Sequence, residues 1–406
     1  MADPARTHPL TFLDDELAAL RAKGLYRWPR RLTGEQAPEC VYDGRRVINL
    51  CSNNYLGLAN DPRLKDAARR AIDEYGVGSG ALRTIAGNLA IHELVEARLA
   101  AFKHTEAALL YQSGFTANAG TVSAVLGRGD VVVSDELNHA SIIDGCRLSG
   151  AERKIFPHRD VAAARRLLAE ARAGDGGHGR HVLLITDGVF SMDGDIAPLP
   201  ALVEVAEEFG AIMMVDDAHA SGVMGAGGRG TVDHFGLHGR VHIQVGTLSK
   251  AWACLGGYVA GSRSLIEFLM QRARPLLFST SHPPSVAATA LAALDRIEAD
   301  PGLIDRLWDN TTFFKAGLVR LGFNTGTSQT PITPVMIGDE AKAMRFSDRL
   351  FEEGVFALGI AYPTVARGKA RVRTIVTAGH TREQLSEALE VCGRVGREMG
   401  VITSPP

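Results

Sequence analysis

AIMMVDDAHASG, residues 211–222, and VHIQVGTLSKAWACLGGYVAG, residues 241–261, decide the fold. Each opens with a short apolar run and ends in a polar cluster. Working outward, similar runs occur at 107–111 (AALLY), 130–133 (DVVV), 181–186 (HVLLIT) and 257–260 (GYVA). Helical spacing of apolar residues lies between several of them, at 160–173 and 198–209. Near-continuous apolar strands alternating with helices predict an α/β fold whose central sheet is mostly parallel and covered by helices on both faces. Ligand sites in such sheets gather at the carboxyl ends of the strands. The polar clusters stand there: DELNHAS after 130–133, DGVFSMDGD after 181–186, DDAHASG after 211–215 and GTLSK after 241–245.

Outside this region, 12–23 (FLDDELAALRAK) reads as an amphipathic helix, followed by an extended stretch to about residue 50. Residues 263–298 read as largely helical, and 173–180 as an exposed turn. A smaller C-terminal α/β unit follows, with strands expected at 333–337 and 371–376 and helices at 339–353 and 381–398. The expected division is 1–60 for an N-terminal helix and arm, 61–295 for the large domain and 296–406 for the small one.

Composition removes several function classes. The 406 residues are 46% hydrophobic and 22% charged, enough apolar material for a large core. Lys plus Arg is 44 against 46 for Asp plus Glu, so no basic excess calls for nucleic acid. The five cysteines are scattered without a CxxC pair, which argues against a disulfide framework or a zinc site. No basic segment followed by an apolar run opens the chain at Met1–Pro4, and no apolar stretch reaches the ~18 residues of a membrane span. A cytoplasmic enzyme without membrane or nucleic-acid partners is expected.

Lys250 follows a buried strand and precedes an apolar, glycine-rich run. Desolvation there should lower its amine pKa, the state needed to bond a carbonyl. Asp216 finishes a buried strand with His219 three residues on. That pair suits a cationic aromatic nitrogen and a nearby oxygen, as pyridoxal phosphate (PLP) requires. The His139 ring suits stacking on a cofactor face. Ser113-Gly114-Phe115 lies between a strand and a helix start, where free backbone N–H groups seat a phosphate. Taken singly, each has a plainer reading: a snorkelling lysine, an N-cap aspartate beside a core histidine, a structural histidine. The 76–87 stretch GVGSGALRTIAG follows no predicted strand, so it reads as a flexible loop near a ligand and not as a dinucleotide fingerprint.

Together, NLCSNNYLGLA (49–59), SGFTAN (113–118), DELNHASIIDG (135–145), DGVFSMDGDIAPL (187–199), VDDAHASGVMG (215–225), GTLSKAWACLGGY (246–258), FSTSHPP (278–284) and RVRTIVTAGHT (371–381) resemble the α-oxoamine synthase family of fold-type-I PLP enzymes. The resemblance spans about residues 12–395. It implies Lys250 as the Schiff-base lysine, Asp216 against the pyridine nitrogen, His219 on the ring hydroxyl oxygen and His139 stacked on the ring. It implies Gly114, Phe115 and Thr247 on the phosphate, Ser191 at the ring edge, and Thr280 reaching the phosphate of a neighbouring subunit in a homodimer. Arg373 and Asn53 correspond to the clamp for the amino acid carboxylate, and Thr364 to an acyl-site threonine. The implied reaction is a Claisen-type condensation of a small amino acid with an acyl-CoA, releasing CoA. The C-terminal motif and GLYRWPR are most similar to glycine C-acetyltransferase, which points to glycine and acetyl-CoA. Thr364 and the SGF turn keep open an 8-amino-7-oxononanoate synthase-type enzyme with a longer acyl-CoA. Another fold-type-I enzyme, an aminotransferase or aldolase, is the further alternative.

Overall fold

The apolar strands are continuous because each has two covered faces. The structure, a computed structural model, describes residues 8–174 and 179–403. Val131, Val133, Leu184, Met213 and Val215 share one core with Ala164, Leu168, Leu199 and Leu202, which come from helices Val161–Ala173 and Leu199–Glu208. Their strand neighbours Val132, Leu183, Ile185 and Met214 point to the opposite face, onto Val122, Ile142 and Leu269. Alternate residues thus feed two cores, and each buried Val or Leu contributes about 1.5–3 kcal/mol.

The central sheet has seven strands, in the order Ala107–Tyr111, Gly257–Gly261, Ile243–Thr247, Ile212–Asp216, Val182–Asp187, Val131–Asp135, Glu152–Phe156. Only Gly257–Gly261 runs against its neighbours; the other pairings are parallel. Six strands therefore end on one edge, and Asp187 and Asp216 sit side by side in register there. The edge strand Glu152–Phe156 was missed by the sequence reading because its exposed residues Glu152 and Arg153 break the apolar pattern.

The stretch before residue 50 also folds further than expected. Strands Glu39–Tyr42 and Arg45–Asn49 pair antiparallel, and the second pairs in parallel with Val355–Phe356 from the C-terminal part. Ile48 and Leu50 enter the same core as Phe314, Leu318, Val372 and Leu385. The N-terminal arm and the C-terminal unit are thus packed together. That unit adds the antiparallel sheet Ile332–Gly338, Ala370–Ile375, Leu358–Ile360, with helices Glu340–Glu352 and Arg382–Glu398 close to the expected positions. A long helix, Gly302–Arg320, joins the two parts. Helix Phe12–Ala22 forms as expected but buries no residue.

The 76–87 loop is anchored, contrary to the flexible loop expected from its glycines. Arg83 is buried and makes a bidentate pair with Glu96 at 2.7 and 2.9 Å. Ser281 Oγ donates to Gly87 O at 2.7 Å, and Leu82 bridges to Thr280. Residues 175–178 of the expected 173–180 turn, and Met1–Pro4, lie outside the described residues. Among the described residues, no helix is long and apolar enough to cross a membrane.

Candidate active site

Four strand ends and one helix start converge on a cavity of about 210 Å³. Its lining includes Gly114, Phe115, His139, Ser191, Asp216, His219, Thr247 and Lys250, so eight of the expected residues meet in one place. A larger groove, about 360 Å³, lies elsewhere on the surface, but no lysine, histidine, cysteine or serine lines it.

Asp216 is the last residue of its strand and is buried. Asn118 Nδ2 donates to its Oδ2 at 2.6 Å, and the Ala218 N–H donates to Oδ1 at 2.8 Å. Burial raises its pKa, while the Lys250 ammonium and these donors pull it down. The neighbouring Asp187 is also buried; its pKa is driven well up by burial and then by the Asp216 charge. Asp216, buried and held by its two donors, is the acid placed to keep a heterocycle nitrogen protonated.

Burial lowers the Lys250 amine to about 8, against the opposing pull of Asp216 and Asp187. This is the shift expected from its sequence setting. His139 caps helix Ala140–Ser149, and its Nδ1 accepts from the Ser141 N–H at 3.2 Å. The N–H of His139 in turn donates to Asp187 Oδ2 at 2.9 Å. His139 is held neutral, chiefly by burial. His219 is buried, with its pKa well below the usual value because of burial and then the Lys250 charge.

The helix Gly114–Val125 begins at the cavity, capped by Ser113, whose Oγ accepts from the Thr116 N–H at 3.1 Å. The N–H groups of Gly114 and Phe115 belong to its first turn, which has no intrahelical acceptors. A Cβ on Gly114 would sit 3.2 Å from Thr247 Cβ, so this close approach of backbone to strand end favours glycine. Thr247 Oγ1 donates to Gly256 O at 2.9 Å and contacts Ser249 Oγ at 2.8 Å. An anion seat, an aldehyde-reactive amine and a carboxylate for a ring nitrogen fit PLP.

Asn53, Arg373, Thr280 and Thr364 are not among the lining residues. Arg373 Nη1 donates to Ser191 O at 3.1 Å, and its charge depresses both Lys250 and His219, so it stands close by. Asn53 Oδ1 is buried without a partner, an acceptor left open for a ligand. Thr280 is exposed and does not line its own chain's cavity. Thr364 lies on an exposed turn. Asp216, Asp217 and His219 form no metal-ligand group; among the described residues, His104, Asp233 and His238 do have such spacing, and none of them lines the cavity. Sequence reasoning missed Asp187, Asn118, Ser141 and Ser249. Asp187 had a signal: like Asp216, it closes a buried, largely apolar strand.

The aminotransferase class I and II family model matches residues 45–391. An 8-amino-7-oxononanoate synthase from Symbiobacterium thermophilum is 61% identical, covering 96% of this chain and 99% of that protein. One from Thermoanaerobacter pseudethanolicus is 56% identical over 97% and 99%. A solved serine palmitoyltransferase from Sphingomonas wittichii superimposes with a TM-score of 0.90 at 33% identity, covering 99% of this chain and 100% of that one. The chain belongs to the aminotransferase class I and II family of PLP-dependent enzymes and, within it, to the α-oxoamine synthases, acyltransferases that join an amino acid to an acyl thioester.

Proposed function

We propose that this enzyme condenses L-alanine with the CoA thioester of a seven-carbon dicarboxylic acid, releasing CO₂ and CoA and forming 8-amino-7-oxononanoate. The observation that carries this reading is the 61% identity, over nearly all of both chains, to a synthase of that product. The substrates follow from the product's structure. Cutting its bond between C7 and C8 leaves a two-carbon amine unit, which is alanine less its carboxylate. The rest is a seven-carbon acyl group with a carboxylate at its far end. Of the readings the sequence left open, the longer-acyl one is favoured over glycine with acetyl-CoA.

When bound, the cofactor supplies an electron sink for charge developing at the amino acid's Cα. Asp216, its carboxylate held by Asn118 and Ala218, keeps the ring nitrogen protonated. Lys250 would anchor the cofactor covalently and, as a free amine, would be the base for the Cα proton; burial lowers its pKa to about 8, towards the range a base needs. The N–H groups of Gly114 and Phe115, with Thr247 and Ser249, hold the phosphate. His139 would stack on the ring and present Nε2–H, because Nδ1 is occupied by the Ser141 N–H. That proton is placed to stabilise the oxygen of the acyl group as it gains charge. His219 would hold the ring hydroxyl oxygen, and Ser191 would lie at the ring edge. Arg373 and Asn53 hold the amino acid carboxylate, for which a planar guanidinium is suited. Thr364 belongs to the acyl site. The exposed Thr280, tied to Leu82, reaches the phosphate bound by a second copy in a homodimer.

Thiol release from the purified holoenzyme tests the reading, with alanine, glycine and serine each paired with acetyl-, pimeloyl- and palmitoyl-CoA. Alanine with pimeloyl-CoA is expected to give the highest kcat/KM, with a decarboxylated product by mass. A preference for glycine with acetyl-CoA would overturn it.

A further inference from the structure

The fully buried Tyr55 and the His219 ring meet across the junction between the N-terminal arm and the end of strand Ile212–Asp216. Tyr55 Oη lies 2.7 Å from His219 Nδ1, with the two rings nearly perpendicular at 85°. We propose that Tyr55 is a positioning residue that fixes the tautomer of His219, donating its O–H to Nδ1 so that the only imidazole proton sits on Nε2 and is offered to the cofactor's ring oxygen. The proposal rests on the reading of His219 as the donor to that oxygen.

A neutral imidazole has a single N–H, and its place is set by whatever bonds the other nitrogen. His219 is neutral here: burial, and then the Lys250 and Arg373 charges beside it, push its pKa well below the usual value. Tyr55 is buried too, which raises its phenol above the ordinary value and keeps it protonated. Two arrangements fit a 2.7 Å contact. In one, the phenol donates to a bare Nδ1. In the other, Nδ1–H donates to the phenol oxygen, and the phenol proton must find another acceptor. Among the described residues, His219 Nδ1 is the one hydrogen-bond partner of Tyr55 Oη. The second arrangement would strand a hydroxyl proton in a dry core, so the first prevails. His219 lines the cavity, so its remaining N–H is placed to serve a ligand there.

The backbone of Tyr55 is fixed as well as its ring. Its N–H donates to Asn53 O at 2.8 Å, and its carbonyl accepts from the Ala378 N–H at 2.7 Å. Ala378 comes three residues after the strand that carries Arg373. One residue therefore connects the carboxylate clamp region to the ring-oxygen donor.

The test uses holoenzyme carrying Tyr55→Phe, which keeps the ring and its packing, beside His219→Gln. Two quantities are read: the pH midpoint of the bound cofactor's visible band, and the ¹⁵N pattern of His219 in selectively labelled protein. A ring oxygen that loses its donor holds the neighbouring proton more tightly, so the midpoint should rise. Tyr55→Phe is expected to raise it by roughly half a pH unit or more, and His219→Gln at least as much. The wild type should show a protonated Nε2 and a bare Nδ1, and Tyr55→Phe a mixture. A wild-type His219 carrying its proton on Nδ1 would overturn the proposal. So would an unmoved midpoint in Tyr55→Phe beside a shifted one in His219→Gln, which leaves the reading of His219 standing. An unmoved midpoint in His219→Gln would remove that reading and the proposal with it.

Discussion

Asn118 Nδ2 donates to Asp216 Oδ2 at 2.6 Å and, from the same nitrogen, to Ser141 Oγ at 2.9 Å. Ser141 in turn contacts His139 Nδ1 at 2.7 Å. One carboxamide on helix Gly114–Val125 thus orients both the acid assigned to the ring nitrogen and the histidine assigned to the ring face. A hydrogen bond to a charged group contributes about 1.5–3 kcal/mol. Asn118→Ala should therefore lower kcat about tenfold or more, with a modest loss of Tm. Asp216→Asn, which keeps the shape and removes the charge, should cost on the order of a hundredfold or more. Steady-state kinetics beside thermal melts of both variants checks this; equal activity in Asp216→Asn and wild type would refute the role given to the acid.

Arg373→Lys keeps a positive charge but loses the planar fork. The KM for alanine should rise about tenfold or more, while the KM for the thioester stays within about twofold. Parallel rises in both would argue that Arg373 shapes the site as a whole.

Lys103 and Asp217 form a fully buried pair at 3.0 Å, directly behind the site. Asp217 also accepts from the Thr231 hydroxyl at 2.5 Å, and Lys103 bonds the Arg229 carbonyl. Removing one partner leaves the other buried and unpaired, at a cost of about 3–5 kcal/mol. Denaturant unfolding of Lys103→Met should show this loss, and adding Asp217→Asn should recover part of it.

His158 lies between two buried carboxylates, Asp135 at 3.0 Å and Asp195 at 2.8 Å, and its pKa is raised to about 9. Burial opposes the rise; the two carboxylates outweigh it. A folded pKa above the unfolded value of ~6.5 means that this stabilisation is complete below pH ~6.5 and is lost as pH climbs through about 9. Tm should fall over that window in the wild type and fall less in His158→Gln. His158 ties the loop carrying Ser191 to the sheet, so kcat should weaken along with Tm.

Most strands of the central sheet, and the cavity residues at their ends, were legible because buried parallel strands leave two plain marks, an apolar run and an abrupt polar end. Lys250, Asp216 and His139 each stand at such an end. The residues that were not legible act through contacts distant in sequence. Asn118 looks like an ordinary helical residue until strand Ile212–Asp216 is laid beside it, and Tyr55 becomes legible only once the N-terminal arm is folded against residue 219. The substrate was the least legible feature. Thr364, which the resemblance assigns to the acyl site, lies on an exposed turn, so its sequence context carries little of the packing that would set chain length.

The central claim is that the Lys250 amine is the covalent seat of the cofactor. Borohydride reduction of the holoenzyme followed by peptide mass spectrometry tests it most directly. The phosphopyridoxyl group is predicted on Lys250 alone, and Lys250→Ala should yield no modified peptide. The same group on any other lysine, or an unmodified Lys250 in protein whose yellow band borohydride has bleached, would contradict the account.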